Sequence, residues 1–325
     1  MDTIVFSHTD QGEFFCTSPQ RLPSQMVATI GVFDGVHGGH RYLIDQLKVE
    51  ARRLALPAAV ITFDVPPVSV VRPDHPFEKL NSNAERAYLL ANAGVDLLIL
   101  LPFDLHLASL TAEEFFDQII TKSLHVHTLL MGYDHHFGRP PKNGASRPDY
   151  TEIGKMHRVH VVPQAPLFDE EEGLPYSSSR IRKLLRADKL SLANRLLGYN
   201  YTFIGEVVDG LRIGRTLGFP TANIRLDDPH KLIPPFGVYA VWIYLDTQRY
   251  GGMLYIGNRP TIAEGLERTI EVNLFDFKGD LYNKSIRVEL VAHTRGEARF
   301  ESYEALARAL QQDAEVTRKI LATAL

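Results

Sequence analysis

One cysteine and one tryptophan are present in 325 residues, and neither charge sign is in large excess. The lone Cys16 excludes an intramolecular disulfide, a cysteine-rich zinc site and an iron–sulfur cluster. Thirty-five Lys+Arg against 39 Asp+Glu leave a formal charge of −4, a poor basis for gripping nucleic-acid phosphates over a wide face. The longest strongly apolar stretch, Leu97–Phe103, is far too short for a membrane span. The N-terminal stretch carries acidic residues where a secretory signal needs a basic start, so the expectation is a soluble, cytoplasmic protein. With 45% hydrophobic and 23% charged residues, the chain has enough apolar side chains for about two cored domains.

The halves differ in texture. Apolar β-prone runs at Met26–Phe33, Ala58–Asp64, Val95–Phe103, Val126–Met131 and Val159–Pro163 alternate with helical spacing at His40–Leu54 and Ala84–Ala93. A capping box, Thr111-Ala-Glu-Glu114, opens a helix expected to reach about Lys122. Nearly continuous apolar strands between amphipathic helices predict an α/β domain with a parallel sheet. Beyond residue 200, strand-like segments at 201–208, 237–245, 252–256, 269–277 and 285–292 are separated by Gly, Pro, Asn and Asp clusters. They predict a closed or nearly closed antiparallel barrel, with helix returning only after about Ser302. The expected domains are 1–196 and 197–325.

Ile30–His40 reads IGVFDGVHGGH, a strand, a glycine-bearing turn and two histidines, with a helix expected to start at the second. Gly31, Gly35, Gly38 and Gly39 let backbone approach a ligand, and a helix start favours an anion. His37 and His40 could donate hydrogen bonds to charge on a transferring phosphoryl group. The bland alternative, a turn flanked by surface histidines, explains the glycines alone less well than the strand–turn–helix context. Neither a P-loop nor G-x-G-x-x-G is present. At Tyr176–Leu184, YSSSRIRKL places hydroxyls and two arginines at a predicted helix N-terminus, a second candidate phosphate contact. A third candidate is Gly210–Ile224, GLRIGRTLGFPTANI. There Thr221 and Asn223, two apart, share one face of an extended strand and offer oxygens that suit Mg²⁺.

The His37-Gly38-Gly39-His40 element resembles the nucleotidylyltransferase signature, and the string ending Pro220-Thr221-Ala222-Asn223 is similar to that of riboflavin kinases. Gly237-Val238-Tyr239, Ile256–Thr261, Glu271, Asp280-Leu281-Tyr282 and Arg295–Phe300 extend the resemblance in order. Together they resemble the bacterial bifunctional riboflavin kinase/FAD synthetase family over roughly residues 26–320. The resemblance implies a Rossmann-like FMN adenylyltransferase half and a barrel kinase half, with small-molecule substrates and no nucleic-acid or membrane partner. It implies that riboflavin, FMN and ATP are consumed and FAD is made, with Mg²⁺ as the metal. Glu271 matches the kinase general base, Thr221 and Asn223 the metal and phosphate ligands, and Gly210, Gly214 and Arg215 the loop over the kinase ATP. Gly31, Phe33, Asp34, Gly35, His37 and His40 match the adenylyltransferase ATP site, with Ser178, Ser179 and Arg180 on the leaving pyrophosphate. Arg295 and Phe300 fall on the flavin side.

Four departures from the family pattern stand out: Val65–Pro67 after the second strand, PPKNGAS at 140–146, and Asn273 and Asn283 near Glu271. His135 and His136 are adjacent and would point oppositely on a strand, so they read as surface or ligand-loop histidines rather than a metal pair. Two other readings remain open on the residues: a kinase whose first half has lost activity, and a non-catalytic flavin-binding protein. Intact His37, His40 and Ser178–Arg180 speak against the first, and intact Glu271 and PTAN against the second. Oligomeric state has no signature in the sequence.

Overall fold

The computed structural model describes all residues except 10–13, 19–20, 76, 134, 136, 140–147, 210–217, 260–266 and 325. Packing divides them into two compact units, one of Met1–Glu78 and Arg86–Ser177, the other of Lys79–Glu85 and Ser178–Leu325.

The first unit is built on a seven-stranded sheet. Its strands are β1 (Asp2–His8), β2 (Phe14–Cys16), β3 (Met26–Ile30), β4 (Ala58–Phe63), β5 (Leu97–Leu101), β6 (Val126–Met131) and β7 (His160–Pro163). The order is β2-β1-β5-β4-β3-β6-β7, with only β2 antiparallel to its neighbour. All residues of β3 and β4 are buried, as expected of strands covered on both faces. The chain moves from β3 through β4 to β5 on one side and from β6 to β7 on the other, so the order reverses between β3 and β6. In open α/β sheets, ligands bind beyond the strand C-termini at such a reversal.

Helices α1 (Gly38–Leu54), α2 (Pro67–Val71), α3 (Asn83–Asn92), α4 (Leu105–Ser109), α5 (Ala112–Phe115) and α6 (Tyr150–Met156) connect the strands. The Thr111 capping box forms with both hydrogen bonds, and α5 runs on as a π-helix over Phe116–Ser123. Strand β1 escaped the sequence pattern because much of its surface is exposed, yet it pairs in parallel with β5.

In the second unit, α7 (Ser178–Arg186) and α8 (Leu190–Leu197) precede a closed barrel. The barrel strands are β8 (Tyr201–Val208), β9 (Ala222–Leu226), β10 (Gly237–Leu245), β11 (Gln248–Arg259), β12 (Glu267–Leu274) and β13 (Ser285–Gly296). Their cyclic order is β10-β11-β12-β9-β8-β13, antiparallel throughout. Helix α9 (Tyr303–Thr323), capped by the Ser302 hydroxyl, packs Ala314 and Leu321 against the barrel wall. The Lys79–Glu85 segment is tied to this unit by its own buried contacts. Lys231 Nζ lies 2.6 Å from Glu85, donates to the carbonyls of Leu80 and Thr202, and sits over the Tyr201 ring.

Candidate functional sites

In the first unit, the loop from β3 to α1 carries the first motif. Three of its residues have positive φ: Phe33 (51°), Gly35 (89°) and Val36 (35°). For a β-branched valine this is a costly conformation, held here by complete burial of Val36 and near-complete burial of Phe33. Below the loop, the Arg86 guanidinium donates to the carbonyls of Val32 and Phe63, joining the ends of β3 and β4.

Helix α1 begins two residues before the expected start, at Gly38, because His37 is its N-cap. The His37 Nδ1 accepts from the His40 backbone N–H at 3.4 Å. That bond places any proton of a neutral His37 ring on Nε2. The imidazoles of His37 and His40 stack with centroids 3.7 Å apart and planes 15° apart. His40 lies well below the ordinary histidine pKa, through burial first and then the neighbouring His37 and His135 rings. It is therefore neutral at pH 7, and its buried Nδ1 has no hydrogen-bond partner among the described residues. Asp34 is also buried.

Tyr176 completes this corner, with its ring 6.4 Å from that of His37. A Cβ at Gly38 would come within 2.6 Å of the Tyr176 ring, so that glycine serves a protein contact as well as any ligand. The sequence held no signal for this, since 138 residues separate the two. Ser178, Ser179 and Arg180 form the first turn of α7, as expected, with Ile181 and Leu185 of that helix buried.

In the barrel, Glu271 sits on β12 opposite Asn223 of β9 on one side and Tyr255 of β11 on the other. Thr221 Oγ1 donates to Glu271 Oε2 at 3.0 Å, and Thr269 Oγ1 lies 3.4 Å from Oε1. Thr269 also reaches Asn223 Oδ1 at 3.5 Å. The side chains of Thr221, Glu271, Thr269 and Asn223 thus form one polar chain across two strands.

A cavity of about 340 Å³ opens beside Glu271. Phe219, Met253, Leu254, Phe300, Leu306 and Leu310 supply apolar wall, and Thr221, Glu271 and Arg295 supply polar groups. Such a mainly apolar cleft with a few fixed polar groups suits a flat heteroaromatic ligand. A second cavity of about 470 Å³, lined by Pro220, Thr221, Phe277, Asp280 and Tyr282, shares Thr221 with the first. The structure therefore brings Glu271, Thr221, Arg295 and Phe300 to one cleft. Asn223 adjoins Glu271 but lines a different depression, with Arg225 and Arg268. Gly210, Gly214 and Arg215 lie outside the described residues.

Two partners were hidden from the sequence. Asp313 of α9, buried, takes a two-pronged contact from Arg295 with Nη2 at 2.7 Å and Nε at 2.9 Å, which aims the guanidinium along the cleft. Tyr255 donates to Glu297 at 3.0 Å. Its hydroxyl pKa is pushed up to about 12 by burial, then by the Glu297 hydrogen bond and the charges of Glu297 and Glu271. Its ring lies so close over Gly257 that a Cβ there would stand 2.1 Å from the hydroxyl.

Among the described residues, no three His, Cys, Asp or Glu side chains cluster as a metal site. The oxygens of Thr221, Asn223 and Glu271 nonetheless make a hard donor set that fits Mg²⁺ when substrate phosphates complete the shell.

Two family models divide the chain as these sites do. Residues 20–180 match FAD synthetase, and 197–321 match riboflavin kinase. The bifunctional riboflavin kinase/FMN adenylyltransferase of Pseudomonas fluorescens is 36% identical over 91% of this chain and 93% of its own length. The protein of the same name from Listeria monocytogenes is 33% identical over 99% of both chains. The chain belongs to the bifunctional riboflavin kinase/FMN adenylyltransferase family. A crystal structure described as a macrolide-efflux protein from Streptococcus pneumoniae superposes with TM-score 0.82 at 34% identity, covering 98% of this chain and 99% of that one. No helix among the described residues is long and apolar enough to cross a membrane.

Proposed function

We propose that this member of the bifunctional riboflavin kinase/FMN adenylyltransferase family phosphorylates riboflavin in the barrel and adenylylates the resulting FMN in the α/β half. The observation that carries the kinase reading is the Glu271 carboxylate, hydrogen-bonded to Thr221 at the wall of an apolar cleft that shares Thr221 with a second cavity. Riboflavin lies in the first cavity, between Phe300 and the α9 side chains, with Arg295 along its edge. ATP occupies the second. The terminal ribityl hydroxyl attacks the γ-phosphorus and the bond to the β-phosphate oxygen breaks. ADP leaves, and the hydroxyl proton passes to Glu271. Thr221 and Asn223 orient the phosphates and would hold Mg²⁺, which when bound offsets the charge of the triphosphate. Gly210, Gly214 and Arg215 are assigned to the kinase ATP by their motif alone.

In the second reaction, an FMN phosphate oxygen attacks the α-phosphorus of another ATP, forming the pyrophosphate link of FAD and releasing pyrophosphate. Gly31, Phe33, Asp34 and Gly35 frame the nucleotide. His37 and His40 donate hydrogen bonds to the crowded phosphoryl oxygens. Ser178, Ser179 and Arg180, by their motif, take the departing phosphates. No covalent intermediate is required, which leaves Cys16 without a chemical role. We assign residues 1–196 to the adenylyltransferase and 197–325 to the kinase, in a cytoplasmic enzyme whose partners are its small-molecule substrates.

The test is a time course with riboflavin, excess ATP and Mg²⁺, the flavins being separated by chromatography. FMN forming first and FAD following is the expected result. FMN that persists contradicts the adenylyltransferase assignment, and unchanged riboflavin contradicts the kinase assignment.

A further inference from the structure

His135 is the residue that the two reactions leave unused. The sequence reads it as a surface or ligand-loop histidine, yet it is half-buried, on the turn that follows β6. Its backbone N–H donates to the Gly132 carbonyl at 3.1 Å, turning the chain back toward the sheet. A Cβ built at Gly31 would stand 3.7 Å from His135 Nδ1, so the ring lies over the C-terminal end of the neighbouring strand β3. The Phe137 ring, 6.2 Å away, packs with the core and limits its swing.

This position is at the reversal of strand order, where β3 and β6 are adjacent and their outgoing loops part. A ligand in that crevice meets one loop on each side. The β3 loop brings His37 and His40, and the β6 loop brings His135. His135 is also close enough to His40 to disfavour its protonation, which places the third ring beside the stacked pair rather than in open solvent. Three imidazoles at the end of a buried sheet, near a helix N-terminus, make a surround for a polyanion.

We propose that His135 supplies a third imidazole to the adenylyl-transfer site, contacting the nucleotide phosphate chain from the β6 side of the crevice. The inference rests on the placing of FMN adenylylation at His37 and His40. It makes His135 a substrate-contacting residue, where the family resemblance had assigned it nothing.

The experiment measures FAD formation from supplied FMN, ATP and Mg²⁺ by the full-length chain and three variants. His135→Phe keeps the ring's shape without its nitrogens, whereas His135→Gln keeps a hydrogen-bonding edge without the ring. A phosphate contact predicts that His135→Phe lowers kcat/KM at least tenfold and that His135→Gln retains more activity than His135→Phe. A packing role predicts the opposite order, and wild-type kcat and KM in His135→Phe would overturn the proposal. His40→Ala in the same assay separates the two levels of the argument. If it abolishes FAD formation while His135→Phe does not, only the inference about His135 fails. If both variants retain full activity, the assignment of the site fails with it. Should His135→Phe not fold, nitrogen-detected NMR of the wild-type ring decides: its ring nitrogens shift on saturation with a non-hydrolysable ATP analogue, and no shift overturns the contact.

Discussion

At the scale of single residues, His40 is the group whose surroundings most alter its chemistry. Burial and two neighbouring imidazoles hold its pKa below the ordinary 6.5. Above that value neither the folded nor the unfolded chain carries a proton there, and the ring has no effect on the pH dependence of stability. As pH falls below 6.5, the unfolded chain takes up the proton first, so folding loses free energy until the folded-state value is passed. The α/β half should therefore unfold at lower urea concentration at pH 5.5 than at pH 7.5. His40→Gln should narrow that difference, and an equal difference in the variant would show that other groups govern it. In function, a neutral His40 stacked on the N-capping His37 offers an N–H donor without adding a second charge in face-to-face contact. A bound triphosphate, bringing negative charge, is what would favour protonation of the pair.

Among elements, α1 shows how a motif that reads as a ligand loop also obeys packing. Gly38 faces the Tyr176 ring, and a methyl group there would overlap it at 2.6 Å. Gly38→Ala should destabilise the α/β half by about 1–3 kcal/mol, the usual range for overpacking. Adding Tyr176→Ala should recover much of that loss in a double-mutant cycle read by urea denaturation, and additivity would refute the contact. Legibility followed the same division between local and distant causes. Strands β3, β4 and β6, the Thr111 capping box and the return of helix after Ser302 could be read because apolar runs, capping motifs and helical spacing are local signals. Strand β1 could not, because its partner lies some ninety residues away and its exposed side blurs the pattern. In the sites, Glu271 and Thr221 were legible from motif residues. Asp313, Tyr255 and Tyr176 were not, since each matters only through a neighbour that the fold brings to it.

For the molecule as a whole, the segment Lys79–Glu85 belongs by its contacts with the barrel unit although more than ninety residues separate it from α7. The tie is an ion pair, Glu85–Lys231, with both side chains only 1% exposed. Glu85 also accepts from the Ile204 backbone N–H at 2.8 Å, so one carboxylate satisfies a strand of the barrel and a buried ammonium. Removing one member of a buried pair strands the other charge, at a cost of about 3–5 kcal/mol. Glu85→Ala should lower the thermal midpoint of riboflavin phosphorylation while leaving its rate at low temperature near normal. An unchanged midpoint would show that Lys231 finds water or another partner.

The central claim is that one chain carries two chemically independent sites, one around Glu271 and one around His40. The most direct test compares Glu271→Ala and His40→Ala in two assays, FMN from riboflavin and FAD from supplied FMN. Glu271→Ala should lower FMN formation about 10²–10⁴-fold, the range for a lost general base, and leave FAD formation intact. His40→Ala should do the reverse. Loss of both activities in either properly folded variant would contradict the account.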